Sequence, residues 1–518
     1  MAMDQHKVTQ SKTIYWASGI VSICGIIFEV LFGALGSYLL GDGVKQYTLT
    51  ISLFLTGMGI GASLSEKVTK GLILSFIWIE ILIGIIGGFS SFLMFGITAY
   101  LGSGSDALFL YLVTLTIGAL TGIELPILIR KANEIGVTLQ RSTARVLFSD
   151  YAGGLIGGLL FVLLLRPQFG MVKTAFLVAI VNILVAMWLL YMFRHEIKHL
   201  RKHAVLASVI LAILVGGAIV GEEAALSFEQ KLYRDPIIHS EQTTYQKIIV
   251  TKEQGDTRLY LDGSLQFSSS DEHRYHETLV HPTMSASNTD RDVLVLGGGD
   301  GLAVRELLKY DSVQRITLVD LDPRIVELAR TNPHFTDLNH YALDDPRVKA
   351  ISMDAFEFME DTDKFYDVIL VDLPDPNNES LNKLYTKEFY SLLRNRLQPG
   401  GAMMVQGTSP VFAREVYWTI SKTIESTGLY VENFHVDIPS FGNWGFVMAS
   451  REPINVNQLK VEVDTKFLSH DVLPALMQFG KDEGPNVVDK DGQRVELKPN
   501  TLIDPHLIEK YERAWRHY

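Results

Sequence analysis

Seven long apolar segments, near 14–41, 47–65, 72–100, 106–130, 144–165, 171–193 and 203–222, fill the first 222 residues of this 518-residue chain. Each has close to, or more than, the roughly 20 residues that cross about 30 Å of hydrocarbon at about 1.5 Å per residue. A globular core accommodates one or two such runs, whereas seven in succession call for lipid. Lipid supplies no partners for free backbone groups, so the expected fold of this half is an α-helical membrane bundle. The first run is too long for a signal-peptide core and lacks a cleavage site, so it reads as a retained helix. Small residues four apart (Gly57 and Gly61, Gly153 and Gly157, Gly154 and Gly158) let helices approach closely, which suits a compact bundle or a homo-oligomer.

Charge complicates the topology. Lys7, Lys12, Lys67, Lys70, Arg130, Lys131, Arg141, Arg145, Arg194, Lys198, Arg201 and Lys202 fall on one side of the expected spans, against Lys45, Arg166 and Lys173 on the other. The positive-inside rule places the amino terminus in the cytoplasm, and seven crossings then put the remainder of the chain outside. Two long runs, 14–41 and 72–100, have glycines at which a re-entrant break would change that count. Glu29, Glu80, Glu124 and Asp150 lie in or near the spans. A carboxylate there costs about 2.5–3.5 kcal/mol, so it faces a cation-binding cavity, sits at the interface, or pairs with Arg130 or Arg145.

Beyond the apolar half the chain is water-soluble. The formal charge of -12 suits a cationic substrate rather than nucleic acid. Cys24 is the sole cysteine, so no intrachain disulfide or cysteine-cluster metal site is expected. Residues 242–267 carry short β-forming runs split by Gly255 and by Asp262-Gly263, which predicts a small antiparallel sheet; residues 273–284 have helical spacing. Strand and helix patterns then alternate: strands at 292–297, 316–322, 348–359 (with a turn), 366–373 and 402–406, and helices at 302–310, from Pro323, and at 385–397. Alternation of this kind predicts an α/β Rossmann-like, methyltransferase-type domain with a mostly parallel sheet. The expected boundaries are 1–222 for the spans, 223–285 for the small β domain and its helix, 286–452 for the Rossmann-like domain, and 453–518 for an extension ending in a helix at 502–518. The apolar face of that helix reads as structural.

In such sheets, ligands bind at the carboxyl ends of the strands, where Asp300, Asp320, Asp354 and Asp372 fall. Gly297, Gly298, Gly299 and Gly301 permit a tight turn against a ligand. Asp320, about twenty residues further on, is placed to accept ribose hydroxyls, which points to an adenosine-type ligand. No Gly-Lys-Ser/Thr run is present, which disfavours phosphate transfer.

The stretches Tyr245-Gln246, Leu261 to Glu277, LVLGGGDG (Leu294 to Gly301), VDLD (Val319 to Asp322), MDAFEF (Met353 to Phe358), VDLPDP (Val371 to Pro376) and LYTKEFY (Leu384 to Tyr390) occur in order. Over about residues 240–450 they resemble the spermidine synthase family of polyamine aminopropyltransferases. The resemblance implies decarboxylated S-adenosylmethionine as co-substrate, with no tightly bound cofactor and no metal. It implies that Gly297 and Gly299 form the cofactor turn, that Asp320 holds the ribose, and that Asp354 and Ala355 meet the adenine. Asp300 and Gln246 would anchor the aminopropyl end with His276 close by. Asp372 would act as the catalytic group on the attacking amine, Asp375 would bind the polyamine, and Tyr245 and Trp444 would line the amine channel. The product would be spermidine if the amine is putrescine. Four residues depart from the family pattern: Leu373-Pro374 stands where small hydroxyl or similar residues are usual, Asp320 replaces a glutamate, and Phe441 stands where a tyrosine is common.

Two other readings compete. A methyltransferase using S-adenosylmethionine shares the strand-end architecture, although Asp300 would repel that molecule's carboxylate. A polyamine sensor or transporter with a noncatalytic synthase-like domain would use the intramembrane acids. Under every reading the chain is a multi-pass protein of a bacterial cell membrane; substrate logic places the soluble part in the cytoplasm and the charge count places it outside.

Overall fold

A computed structural model describes all residues except 1, 42, 102–103, 489–492 and 516–518, and leaves out the side chains of residues 2–8. The Lys7 side chain and the last three residues of the expected terminal helix therefore lie outside the described residues. The chain divides into two compact units, Met1–Ile237 and Ile238–Tyr518.

The first unit is helical. Its helices are α1 (Ala2–Leu40), α2 (Gly43–Leu64), α3 (Leu72–Leu101), α4 (Ser105–Glu134), α5 (Leu139–Leu160), α6 (Arg166–Met192) and α7 (Leu200–Glu229). Six helical stretches among the described residues are long and apolar enough to cross a membrane, and one of them, Leu139–Met192, is 54 residues long. At about 1.5 Å per residue that stretch would far exceed a bilayer if straight. It is broken at Gly170, whose φ of 64° and ψ of -174° are not helical. The breaks considered within 14–41 and 72–100 do not occur: α1 and α3 are continuous, and the reversal follows Pro167 instead.

Contacts at the two ends fix the direction of each helix. At one end Lys131 of α4 pairs with Glu196 of the α6–α7 loop at 2.6 Å, and Gln10 of α1 reaches the same glutamate at 3.5 Å. At the other, the Tyr38 hydroxyl of α1 donates to Glu229 of α7 at 2.5 Å, and Tyr111 of α4 donates to Gln46 of α2 at 3.0 Å. The start of α1 thus lies at the same end as the end of α4 and the α6–α7 loop, and the end of α1 lies beside the end of α7. Tight packing depends on missing side chains: a Cβ on Gly61 would sit 1.9 Å from the Ala119 carbonyl, and one on Gly153 would sit 2.2 Å from that of Gly19. The exterior is apolar, with Leu155, Leu163 and Ile219 exposed by 68, 72 and 72%. Such a surface fits lipid rather than water.

Inside the bundle, Glu80 and Glu124 are both buried. Both oxygens of Glu80 and Oε1 of Glu124 have no hydrogen-bond partner among the described residues. Arg130 does not neutralise them: its guanidinium donates to the carbonyls of Pro126, Val68 and Ser65.

The second unit begins with an antiparallel sheet in the order β1 (Ile237–Gln242), β2 (Lys247–Glu253), β3 (Asp256–Leu261) and β4 (Ser264–Ser268), followed by helix α8 (Glu272–Ala286). Strands β5 (Asp292–Gly297), β6 (Arg315–Asp320), β7 (Val348–Ser352), β8 (Tyr366–Asp372), β9 (Leu397–Gln406), β10 (Tyr430–Ile438) and β11 (Gly442–Ser450) form one sheet in the order β10-β11-β9-β8-β5-β6-β7. The pairs from β9 to β7 are parallel, while β11 pairs antiparallel with both β9 and β10. Its helices are α9 (Leu302–Leu307), α10 (Pro323–Thr331), α11 (Pro333–Asn339), α12 (Ala355–Asp361), α13 (Glu379–Asn382), α14 (Lys387–Arg396), α15 (Arg414–Glu425) and α16 (Leu507–Trp515).

Both sheet faces are covered. Val293, Val295, Val368 and Leu370 pack into one apolar cluster, and Leu294, Leu296, Ile369 and Val371 into the other. The two-residue alternation makes these strands hydrophobic throughout, as parallel strands buried on both sides must be. The second half of the segment expected as one strand over 348–359 is helix α12, started by Asp354, whose carboxylate accepts the Phe356 and Glu357 amides.

In a bilayer, reporters fused at the amino terminus and directly after Glu229 are expected on opposite faces. An impermeant label applied from each side checks this; two reporters on one face would mean an even number of passes.

Candidate active site

The strand order changes direction between β5 and β8, where an α/β sheet opens a crevice at its carboxyl edge. There Gly297, the last residue of β5, pairs with Asp372, the last of β8. The approach is so close that a Cβ on Gly297 would lie 1.9 Å from the Asp372 carbonyl oxygen, and its φ of 79° independently favours glycine. Gly299 is constrained by the neighbouring strand: its amide donates to Asp320 Oδ2 at 3.0 Å, and a Cβ would lie 2.6 Å from that oxygen.

Four carboxylates surround this turn. Asp320 also accepts the Asp322 amide at 2.9 Å, so one backbone donor occupies each of its oxygens and a lone pair remains on each. Asp300 caps the start of α9 through the Leu302 amide at 2.9 Å. Asp372 Oδ1 accepts the Tyr275 hydroxyl at 2.6 Å, and Oδ2 lies beside Gly298. Asp375 Oδ2 accepts the Thr408 hydroxyl at 2.8 Å and Oδ1 accepts from Gln406 at 3.2 Å. Thr408 holds this position with a φ of 62°, a costly backbone for a β-branched residue.

Burial pushes Asp300, Asp320 and Asp375 each up to about 6, with nearby negative charge adding to the effect at Asp300 and Asp320. Burial also raises Asp372, against the opposing pull of charged His276 and the Tyr275 hydroxyl. A cation entering this crevice would relieve the mutual repulsion.

His276 is the counterweight. Burial alone would lower it, but the Glu272 carboxylate at 2.8 Å, with Asp300 and Asp372 nearby, carries it up to about 9. Glu272 is desolvated too, yet His276 and Arg305 bring it down to about 2. Arg305 grips both Glu272 oxygens, at 2.9 and 3.0 Å, and reaches Glu306 at 2.9 Å. A forked guanidinium of this kind sets orientation as well as charge.

The other expected residues are distributed as follows. Gln246 Nε2 donates to Asp322 Oδ2 at 3.0 Å, and Thr243 donates to the same oxygen at 2.7 Å. Tyr245, adjacent, is 49% exposed. Ala355 is buried at the start of α12, and Asp354 Oδ2 pairs with Lys383 at 2.6 Å. Trp444 Nε1 donates to Gln406 Oε1 at 3.2 Å, and its ring centroid is 5.4 Å from that of Phe441. Gln406 therefore links Trp444 to Asp375.

Sequence reasoning passed over two contacts: the Tyr275 hydroxyl on Asp372 and the Lys383 ammonium on Asp354. Tyr275 and Lys383 lie in or beside the motifs and were open to being singled out.

The spermine/spermidine synthase domain family matches residues 272–460. A polyamine aminopropyltransferase of Oceanobacillus iheyensis is 67% identical over 516 residues, covering 100% of both chains. The chain belongs to the polyamine aminopropyltransferase family. A polyamine aminopropyltransferase of Leptospira interrogans is 41% identical over 508 residues, covering 97% of this chain and 98% of its own. Both likenesses run through the apolar helices as well as the sheet domain. A spermidine synthase solved in complex with the transition-state analogue AdoDATO is 25% identical, covering 47% of this chain and 85% of its own, with a TM-score of 0.44. Among the described residues, no group of three or more His, Cys, Asp or Glu side chains is arranged to hold a metal ion.

The histidine gives a pH test. Because folding raises His276 from 6.5 to about 9, its pairing stabilises the protein fully below pH 6.5 and is lost as pH rises through about 9. The loss is expected to be on the order of 3 kcal/mol, read as a falling unfolding midpoint between pH 6.5 and 9.5. His276→Asn should flatten that slope.

Proposed function

We propose that this chain transfers an aminopropyl group from decarboxylated S-adenosylmethionine to an amine such as putrescine, giving spermidine and 5'-methylthioadenosine. The observation that carries this reading is Asp372, oriented by Tyr275 at the crevice between β5 and β8, with Asp300 and Asp375 also at the sheet's carboxyl edge. An acceptor amine is protonated near neutrality and must shed a proton before attacking carbon. Asp372 accepts that proton through Oδ2 while Tyr275 holds Oδ1. The amine nitrogen then bonds to the methylene carbon next to the sulfonium. The carbon–sulfur bond breaks, and its electrons neutralise sulfur.

The remaining residues position the reactants. Asp320 binds the ribose hydroxyls through its free lone pairs, and Gly297 and Gly299 let the nucleoside approach the backbone. Asp354 and Ala355 meet the adenine, while Asp300, with His276 nearby, and Gln246 anchor the donor's aminopropyl end. Asp375 holds the distal ammonium of the acceptor; Trp444 and Tyr245 line its methylene stem, where an aromatic face adds about 0.5–2 kcal/mol for a cation. Orientation of both reactants converts an encounter into a near-unimolecular step.

Asp300 distinguishes this reading from methyl transfer: it attracts the ammonium of the decarboxylated donor and repels the carboxylate of S-adenosylmethionine. The helical unit is proposed to lie in a bacterial cell membrane, with its apolar exterior against lipid. The proposed boundaries are 1–222 for the spans, 223–285 for the small β domain and its connecting helix, 286–452 for the Rossmann-like domain and 453–518 for a C-terminal extension.

Detergent-purified protein incubated with each donor and a panel of amines is expected to yield an aminopropylated amine only with the decarboxylated donor, identified by mass spectrometry. Asp372→Asn should lower kcat by about 10²–10⁴ with little change in KM. In the parent enzyme kcat should fall as acidification protonates Asp372, since only the carboxylate accepts a proton. Methylated amine, or no product from folded protein that binds the donor, would overturn the proposal.

A further inference from the structure

The turn between β1 and β2 is tied to the start of α10 by hydrogen bonds that converge on one carboxylate. Asp322, the residue before α10, is buried. Its Oδ1 accepts the Arg324 amide at 3.0 Å and so caps the helix. Its Oδ2 accepts the Thr243 hydroxyl at 2.7 Å and Gln246 Nε2 at 3.0 Å. Thr243 also shapes the turn, its oxygen accepting the amides of Tyr245 and Gln246, each at 3.1 Å. A separate fork, from Arg324 to both oxygens of Glu241 at 2.7 and 2.9 Å, holds the end of β1 against the same helix.

These contacts decide how Gln246 presents its side chain. An ionised carboxylate only accepts hydrogen bonds, so the half of the amide that meets Asp322 is its NH2. The carbonyl oxygen, on the other side of the planar group, faces away from Asp322 as an acceptor. The same bonds set Gln246 at the carboxyl edge of β6. The Asp322 amide donates to Asp320 Oδ1 at 2.9 Å, Asp320 Oδ2 accepts the Gly299 amide at 3.0 Å, and Asp300 follows Gly299. An ammonium bound there needs oxygen acceptors around it, and an amide NH2 in place of the carbonyl would repel it.

We infer that Asp322 is a positioning residue for the donor: it holds the Gln246 amide with its carbonyl oxygen toward the aminopropyl ammonium. Gln246 touches the donor, and Asp322 acts through it. Asp322→Asn keeps a helix cap, since asparagine caps about as well as aspartate, but offers its own NH2 to the turn. The Gln246 amide then reverses to accept from that NH2 and turns its own toward the ammonium. The Glu241–Arg324 fork keeps β1 in place meanwhile. The inference rests on the aminopropyl-transfer reading for the place of the donor, although donor binding requires no turnover.

The test compares two ligands that share the nucleoside. Decarboxylated S-adenosylmethionine carries the aminopropyl ammonium, and 5'-methylthioadenosine lacks the aminopropyl group. Calorimetry on full-length Asp322→Asn is expected to show the first bound about tenfold more weakly than by the parent and the second unchanged, as for one lost hydrogen bond to a charged group. In a Gln246→Met background, Asp322→Asn should change neither affinity further, because the group it acts through is gone. Equal weakening of both ligands would mark a merely structural carboxylate and overturn the inference. So would unchanged affinity for the charged ligand in folded protein. A weakening that persists without Gln246 would be the lost charge acting directly, and would overturn it too. Asp322→Ser, which also keeps a cap, takes the same test with the same outcomes if the asparagine variant does not fold. If the parent binds the donor but transfers no aminopropyl group, the functional reading fails, and the two-ligand comparison still decides the role of Asp322.

Discussion

The site depends on one backbone contact, the approach of Gly297 to the Asp372 carbonyl across the β5–β8 pair. Parallel register at the centre of a sheet is specified by hydrophobic side chains on both faces, and here Leu294, Val295, Leu296, Leu370 and Val371 are fully or almost fully buried. Each such side chain contributes about 1.5–3 kcal/mol relative to exposure. Slipping β8 by one residue would exchange its two faces and carry Asp372 away from the crevice. Apolar packing several residues below the site therefore sets where the polar chemistry sits.

That register concentrates negative charge. Asp300, Asp320 and Asp375 are each raised to about 6 by burial, which marks a place where carboxylates are held against their preference. The Glu272–His276 pair, clamped by Arg305, sets one positive group among them without consuming Asp372. A cationic ligand completes such a site electrostatically, whereas an anionic one adds to the repulsion. Both reactants of aminopropyl transfer are cations, and the same crevice suits both for the same reason.

Much of this was legible because the signals were local. The strand over Asp292–Gly297 follows from an unbroken apolar run into glycines, and Asp320 follows from its spacing after them. Segment 348–359 was legible only in part: its second half is apolar enough for a strand, but Asp354 with Glu357 three residues on is a helix-start pattern, and α12 forms there. The reversal at Gly170 was expected as a loop after 165; helical geometry instead persists to the glycine. What stayed hidden depends on distant segments meeting. Gln246 with Asp322 and Lys383 with Asp354 are joined by tertiary packing, which no residue spacing encodes. In the bundle, the acids Glu80 and Glu124 were visible as anomalies, but that both are buried was not.

The central claim is that the carboxylate crevice selects a donor bearing an ammonium and lacking a carboxylate. The most direct measurement is the calorimetric affinity of the full-length protein for decarboxylated S-adenosylmethionine and for S-adenosylmethionine, repeated with Asp300→Asn. The account predicts tighter binding of the decarboxylated donor by at least tenfold, with the gap narrowing in the variant. Equal affinities in the parent protein, or a preference for the carboxylate-bearing molecule, would contradict it.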